Sequence, residues 1–85
     1  MNVLFSDEAW NDYLHWQGMD RRALKRINEL IKDIQRSPFV GIGKPEPLKH
    51  QYAGLWSRRI DEEHRILYRI VAERVEIVSC RLHYK

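Results

Sequence analysis

The chain has 85 residues, of which 44% are hydrophobic and 32% are charged. This hydrophobic content excludes a disordered chain, and no apolar run approaches the ~20 residues that a membrane-spanning helix needs. Fifteen Lys and Arg against twelve Asp and Glu give a net charge of +3, which favours a polyanionic partner without requiring one.

The beginning of the chain and its cysteine content indicate a cytoplasmic protein. Asp7 and Glu8 come too early to leave room for the apolar region of a signal peptide. Cys80 is the only cysteine, so no internal disulfide is expected. A chain of this length has room for one hydrophobic core. We therefore predict a single cytoplasmic domain over residues 1–85, with no membrane segment.

The first half of the chain predicts a strand followed by two helices. Residues 3–5 are apolar and precede Ser6, a good helix N-cap, which starts a helix over residues 6–17. Asp20 caps a second helix, which ends before Pro38. The predicted apolar stripes are Trp10, Tyr13 and Leu14 in the first helix and Leu24, Ile27, Leu30, Ile31 and Ile34 in the second.

Residues 38–50 predict a long loop, because they contain all three prolines and two of the four glycines. Long loops in small domains are often functional. Glu46 stands between Pro45 and Pro47, which stiffen the chain and would hold a carboxylate in a defined place. Glu46 is therefore a candidate general base, with a solvated loop carboxylate as the alternative. Sequence spacing does not show whether this loop reaches the sheet.

Three runs rich in apolar and β-branched residues predict strands over residues 55–60, 65–71 and 75–84. The gaps between them are short, which indicates an antiparallel meander. The order β-α-α-β-β-β is that of an α+β fold, and we expect an antiparallel sheet with both helices packed on one face. Cys80 alternates with the apolar residues of the last strand, so we expect an inert core thiol.

The pattern of apolar residues also predicts how the last two strands pair, because a slip of one residue would invert every side chain. Pairing Val71 with Val75 separates core from surface best. This register places Arg65 opposite Arg81 on the outer face, with His83 diagonally beside Arg65 at ~7–8 Å. The three basic side chains are thus predicted to share one patch.

The preceding hairpin extends this patch. Pairing Ile60 with His64 places Arg59 beside Arg65, and like charges that lie opposite each other suggest an anionic ligand. The alternative is a solvated face with weak ion pairs to nearby carboxylates. Those carboxylates are Glu62, Glu63 and Glu76. The apolar residues that this register turns outwards, and that the loop or a partner would cover, are Leu55, Leu67 and Ile77.

Metal-free cleavage of RNA needs a base for the 2′-hydroxyl, a cation for the charge on phosphorus and an acid for the leaving 5′-oxygen. Glu46, Arg65 and His83 are residue types that could supply these three groups. An arginine offers a planar fork to two phosphate oxygens, and a histidine exchanges protons near neutral pH. Tyr84 could orient His83 or stack on a base. The four histidines show no ligand spacing, so we expect neither a metal nor another cofactor.

Six segments carry a resemblance to a known family. They are Ser6-Asp7-Glu8-Ala9-Trp10 with Tyr13, Arg36-Ser37-Pro38-Phe39, Gly43-Lys44-Pro45-Glu46-Pro47-Leu48-Lys49, Gly54-Leu55-Trp56-Ser57-Arg58-Arg59-Ile60, Glu62-Glu63-His64-Arg65 and Cys80-Arg81-Leu82-His83-Tyr84. They span nearly the whole chain. With them the sequence resembles the YoeB family of toxins, within the RelE and ParE superfamily.

This resemblance implies a microbial-ribonuclease-like fold and cleavage of messenger RNA in the ribosomal A site, leaving a 2′,3′-cyclic phosphate and a 5′-hydroxyl. It also implies a YefM-like antitoxin as partner. Exposed apolar residues would fit that partner or a homodimer. The residues that match the family's positions are Glu46 as general base, Arg65 as charge stabiliser, His83 as general acid, Tyr84 as neighbouring aromatic, and Lys49 and Arg59 as RNA contacts.

Two other functions stay open at this point. A ParE-like toxin would share the fold and inhibit DNA gyrase without catalysis. A plain RNA-binding module would grip phosphates through the basic face, with Arg81 among its contacts, and would cut nothing. His83 alone could equally be an ordinary surface histidine. The joint presence of Glu46, Arg65 and His83 argues for the ribonuclease.

Overall fold

The computed structural model describes residues 1–81, and this part of the chain folds into two helices and a five-stranded sheet. The elements are β1 (Asn2–Phe5), α1 (Asp7–Met19), α2 (Arg21–Arg36), β2 (Glu46–Pro47), β3 (Trp56–Arg59), β4 (Arg65–Val71) and β5 (Arg74–Ser79). A short 3₁₀ turn, His50–Tyr52, lies between β2 and β3. The predicted α+β class is confirmed, and β2 is an additional strand inside the predicted loop.

The order of strands across the sheet is β1-β5-β4-β3-β2. The pairs β2–β3, β3–β4 and β4–β5 are antiparallel, whereas β1 runs parallel to β5, so the sheet is mixed. The apolar pattern of a four-residue strand does not fix its direction, which is why sequence alone suggested an antiparallel sheet throughout. No helix within residues 1–81 is long and apolar enough to span a bilayer.

Both helices begin at the predicted side-chain caps. The Ser6 hydroxyl accepts the Ala9 N–H (3.0 Å) and donates to the Val78 carbonyl (2.9 Å), so the cap also joins α1 to β5. The Asp20 carboxylate accepts the N–H groups of Arg22 and Ala23 at 3.0 and 3.1 Å. Such caps satisfy amide donors that the first turn of a helix leaves without partners.

The hydrophobic core lies between the two helices and one face of the sheet. Its buried members are Ala9, Trp16, Ala23, Ile27, Leu30, Ile31, Ile34, Ile60, Ile66, Tyr68, Val75, Ile77 and Cys80. Each fully buried aliphatic side chain of this kind stabilises the fold by roughly 1.5–3 kcal/mol relative to exposure. Both helices therefore pack on the same face, as predicted.

The first helix buries a different side from the one that its apolar spacing predicts. Ala9 is fully buried and Trp16 is 7% exposed, whereas Trp10 and Leu14 are 49% and 43% exposed. Trp16 donates its indole N–H to the Cys80 carbonyl at 2.8 Å, which fastens α1 to the end of β5. Cys80 is fully buried, and burial raises the pKa of its thiol to about 12, in agreement with the predicted inert core thiol.

The hairpin of β3 and β4 has the predicted register. Trp56 pairs with Tyr68, and Arg59 pairs with Arg65. The backbone N–H of Ile60 donates to the carbonyl of His64 (3.0 Å), which closes the turn between the strands. The two arginines therefore lie directly opposite each other on adjacent strands, as the sequence predicted.

The hairpin of β4 and β5 departs from prediction near its turn. Val71 pairs with Arg74 instead of Val75, so every pair up to Tyr68 is shifted by one residue. A bulge next to Tyr68 absorbs the difference, and Leu67 pairs with Ser79, which is the predicted register.

This shift changes the environment of Ile77. The predicted register turned Ile77 towards the outer face, but it pairs with Tyr68 and belongs to the core.

Candidate active site

The face of the sheet opposite the helices, called the open face below, carries Glu46, Ser57, Arg59, Arg65 and Leu67. Ser57 pairs with both Glu46 and Leu67, and Arg59 pairs with Arg65. Directly paired residues point to the same side of a sheet, and residues two apart in a strand do so as well. The open face therefore combines one carboxylate with two guanidinium groups.

Glu46 reaches the sheet because its own backbone forms the edge strand β2. It pairs with Ser57, and the following Leu48 donates its N–H to the Leu55 carbonyl at 2.9 Å. The Leu48 side chain is 6% exposed, which anchors this end of the strand. Diagonal neighbours in a sheet lie ~7–8 Å apart, so the Glu46 carboxylate is within reach of a group held by Arg59.

Lys49 lies beside Glu46. A shallow concavity of about 230 Å³ is lined by residues 46–52, and Glu46, Lys49 and His50 all contribute to it. Within residues 1–81, neither the Glu46 nor the Lys49 side chain forms a hydrogen bond or an ion pair. A carboxylate and an ammonium group are thus available to a ligand at the edge of the sheet.

Arg65 is held by the turn that precedes it. Its Nη1 donates to the carbonyls of Asp61 (3.2 Å) and His64 (3.3 Å), which restricts the side chain without neutralising its charge. In the part of the chain that the structure describes, neither Arg59 nor Arg65 forms a salt bridge. Their charges are therefore free to act on an anionic ligand.

The carboxylate that could have neutralised this face is bonded elsewhere. Glu76 accepts hydrogen bonds from Arg69 (2.7 Å) and Arg74 (3.0 Å), and these two arginines lower the pKa of its carboxyl. Ion pairing between the predicted basic patch and Glu62, Glu63 or Glu76 is not seen within residues 1–81.

Three of the predicted site residues lie at the end of the chain. Arg81 is exposed and follows β5, but it is not among the recorded strand pairs, so its pairing with Arg65 stays a prediction. His83 and Tyr84 lie outside the described residues.

Sequence analysis missed a buried arginine next to the open face. Arg58 is fully buried and contacts Asp33, itself 7% exposed, through Nη1 and Oδ2 at 2.5 Å. A signal for this pair was present in the sequence. Arg58 is two residues from both Trp56 and Ile60 and shares their core side of the sheet. Asp33 lies directly before Ile34, which belongs to the apolar stripe of α2. Two opposite charges at apolar positions are typical of a buried ion pair.

All five N–H donors of the Arg58 guanidinium are used. Nη1 binds Asp33 and a loop carbonyl, Nη2 binds two loop carbonyls, and Nε donates to the Tyr68 hydroxyl at 3.2 Å. The carbonyls and their distances are Ser37 (2.6 Å), Val40 (3.0 Å) and Ile42 (3.2 Å). Burial raises the pKa of Tyr68, whose hydroxyl donates to a fourth loop carbonyl, that of Pro38, at 2.6 Å.

Two glycines let the loop approach this pair closely. Gly41 has φ 131°, and a Cβ built on it would lie 2.0 Å from Asp33 Oδ2. Gly43 has φ 80°, and its Cβ would lie 2.8 Å from the Leu30 side chain. Only glycine fits both the backbone conformation and the space at these positions.

The Asp33–Arg58 pair makes the free energy of unfolding depend on pH in the acidic range. The hydrogen bond from Arg58 lowers the pKa of Asp33 below its ordinary value of 3.8; burial opposes this, and bonds from Ile42 and Arg36 reinforce it. A group whose folded-state pKa is lowered stabilises the fold above its unfolded-state pKa, and the stabilisation is lost as pH falls through the folded-state pKa.

We therefore expect the difference in unfolding free energy between wild type and Asp33→Asn to be largest at about pH 6 and to shrink below about pH 4. Urea unfolding of both proteins across this range measures it. Other acidic groups titrate in both proteins and cancel in the difference. A difference that stays constant down to low pH would contradict this role of Asp33.

Metal-ligating side chains do not cluster in the described part of the chain. Residues 1–81 contain no group of three or more His, Cys, Asp and Glu arranged to hold a metal ion.

Comparison with known proteins gives a consistent set of relatives. A family model described as a YoeB-like toxin of bacterial type II toxin-antitoxin systems matches residues 5–84. The chain is 56% identical to Toxin YoeB of Escherichia coli K12 over 84 residues, which are 99% of this chain and 100% of that protein.

Solved structures agree with this. A YoeB/ParE toxin from Agrobacterium tumefaciens matches with a TM-score of 0.96 at 48% identity, covering 99% of this chain and 100% of the other. A YoeB–YefM complex and a YoeB dimer from Staphylococcus aureus give TM-scores of 0.91 and 0.92 at 44% and 45% identity, covering 99% of this chain and 98% of each of those.

Proposed function

Because this chain belongs to the YoeB-like toxins of bacterial type II toxin-antitoxin systems, we propose that it is a metal-independent endoribonuclease. Its substrate is messenger RNA in the ribosomal A site. The products are a strand ending in a 2′,3′-cyclic phosphate and a strand beginning with a 5′-hydroxyl. Cutting the message during translation stops protein synthesis, which makes the protein toxic.

The observation that supports this function best is the shared face of Glu46, Arg59 and Arg65. Glu46 pairs with Ser57, two residues from Arg59, and Arg59 pairs with Arg65. Within residues 1–81 no carboxylate neutralises either arginine. An RNA strand that crosses the open face would meet a base and two phosphate-binding groups.

In the proposed reaction, Glu46 removes the proton of a 2′-hydroxyl, and the resulting oxygen attacks the adjacent phosphorus. As the new bond to the 2′-oxygen forms, the bond from phosphorus to the 5′-oxygen breaks. Arg65 stabilises the additional negative charge on the non-bridging oxygens through its planar fork. Arg59 and Lys49 hold neighbouring phosphates in place.

The leaving 5′-oxygen takes a proton from His83, and Tyr84, the next residue in the sequence, serves to orient that acid or to stack on a base. Both residues lie outside the described part of the chain, so their roles are supported by the resemblance of the terminal segment to the family. Arg81 precedes them and is exposed, which suits a further phosphate contact.

We propose that an antitoxin similar to YefM neutralises this toxin in the bacterial cytoplasm, because a relative at 44% identity forms a YoeB–YefM complex. A second proposed contact is self-association, since a relative at 45% identity forms a YoeB dimer. Several apolar side chains remain exposed for such contacts. They include Leu4, Trp10 and Leu14.

Ribosomes programmed with a defined message provide the test. We expect purified protein to cut the message within the codon in the A site, at the same rate whether or not a transition metal is added to the Mg²⁺ that the ribosome itself requires. Primer extension locates the cut, and direct phosphorylation of the new end by a polynucleotide kinase identifies a 5′-hydroxyl. Salt-sensitive binding with an intact message, or inhibition of DNA supercoiling by gyrase in its place, would overturn the proposal.

A further inference from the structure

Arg58 lies on the core side of β3, yet it is bonded to the loop that leads to Glu46 on the open face. Its neighbours in the strand, Ser57 and Arg59, point the other way. Through Nη1 and Nη2 it binds three carbonyls between residues 37 and 42, just before β2 begins. One buried side chain thus ties the loop to the strand that borders Glu46.

The position of Glu46 depends on its backbone, because its side chain has no hydrogen bond or ion pair within residues 1–81. Three successive residues of β3 hold that backbone or the loop that leads to it. Arg58 binds the loop, the Arg59 N–H donates to the Gly43 carbonyl at 2.7 Å, and Ser57 pairs with Glu46. Loss of the first link would free the segment that enters β2.

We propose that buried Arg58, held by Asp33, is a positioning residue for the Glu46 carboxylate. This inference rests on the proposed function, in which Glu46 is the general base. The guanidinium suits the task because its five donors lie in one plane and bind separate oxygens. A lysine would keep the charge beside Asp33 but offers three donors on a single atom.

The first measurement is single-turnover cleavage of ribosome-bound message by Arg58→Lys at saturating toxin. We expect a loss of about 100-fold in rate, the size of effect that a displacement near 1 Å produces, with ribosome affinity unchanged. Arg36→Lys is the matched control. Arg36 binds the same carboxylate at 2.7 Å but is not recorded as binding any loop carbonyl in residues 1–81, and its variant should cleave at the wild-type rate.

The deciding measurement repeats Arg58→Lys in a Glu46→Gln background. If Arg58 acts through Glu46, its replacement should cause no further loss there. Because saturating toxin makes the rate independent of the folded fraction, a loss of stability alone would leave it unchanged, and a disturbance that does not act through Glu46 would reduce it by the same factor in both backgrounds. Tyr68→Phe keeps the Arg58 side chain but removes both the bond to Pro38 and the acceptor of Arg58 Nε, and it provides a second, milder double-mutant cycle if Arg58→Lys does not fold.

Equal losses in the two backgrounds, or a wild-type rate for both Arg58→Lys and Tyr68→Phe, would overturn the positioning role. Failure of the proposed function looks different. In that case Glu46→Gln alone would cleave as fast as wild type, or wild type would leave the message intact. The two ideas are therefore tested by separate arms of the same experiment.

Discussion

Glu46→Gln is expected to slow cleavage of ribosome-bound message by roughly 10²- to 10⁴-fold, the range that a general base contributes. The amide keeps the shape of the carboxylate but cannot take the proton of a 2′-hydroxyl. Since Glu46 is exposed and its side chain bonds nothing within residues 1–81, fold and ribosome affinity should be unaltered. Single-turnover rates at saturating toxin isolate the chemical step.

Glu29→Gln is the control for this change. Glu29 is an exposed carboxylate of α2, on the helix side of the sheet, and its replacement should leave the cleavage rate as it is. If Glu46→Gln cleaved as fast as wild type, Glu46 would have no part in the mechanism. A loss of ribosome affinity without a loss in saturated rate would make it a binding residue instead.

Arg58→Met is expected to lower the free energy of unfolding by about 3–5 kcal/mol, the cost of removing one partner from a buried ion pair. A domain of this size has a total stability of roughly 4–13 kcal/mol, so much of it would be lost. Methionine would fill the space but would remove the guanidinium from the Asp33 carboxylate and leave the carbonyls of Ser37 and Val40 without this donor. Urea unfolding followed by tryptophan fluorescence measures the change.

Arg36→Met provides the matched control for stability. Arg36 binds the other oxygen of Asp33 at 2.7 Å, but its side chain is 78% exposed. Exposed ion pairs contribute ~1 kcal/mol or less, so this variant should be nearly as stable as wild type. Similar losses of stability for the two variants, or a loss below 1 kcal/mol for Arg58→Met, would contradict the view that the buried Arg58 guanidinium holds the loop.

The two hairpins show what the sequence could predict about the sheet. The register of β3 and β4 followed from the apolar pattern. In β4 and β5 the same reasoning was off by one residue near the turn, because Ala72 and Glu73 occupy it with φ values of 50° and 60°. Turns of this kind usually carry Asn and Gly, so these residues gave no sign of a two-residue turn.

The candidate site was predictable in part for a similar reason. Arg59 and Arg65 lie on strands with a clear alternation, and their pairing could be read from it. Glu46 lies in a two-residue strand between prolines, which has no periodicity to read. Arg58 and Asp33 did carry a signal, since each is a charged residue where the pattern calls for an apolar one. Matching charged residues of opposite sign at such positions would have paired them.

The prolines beside Glu46 also determine what can attach to that side of the molecule. β2 is the outermost strand there, and neither Pro45 nor Pro47 has an amide hydrogen to offer an incoming strand. Strand addition by another polypeptide, including misassembly between copies, is thus disfavoured at the edge that carries the carboxylate. The opposite edge, β1, contains no proline and lacks this protection.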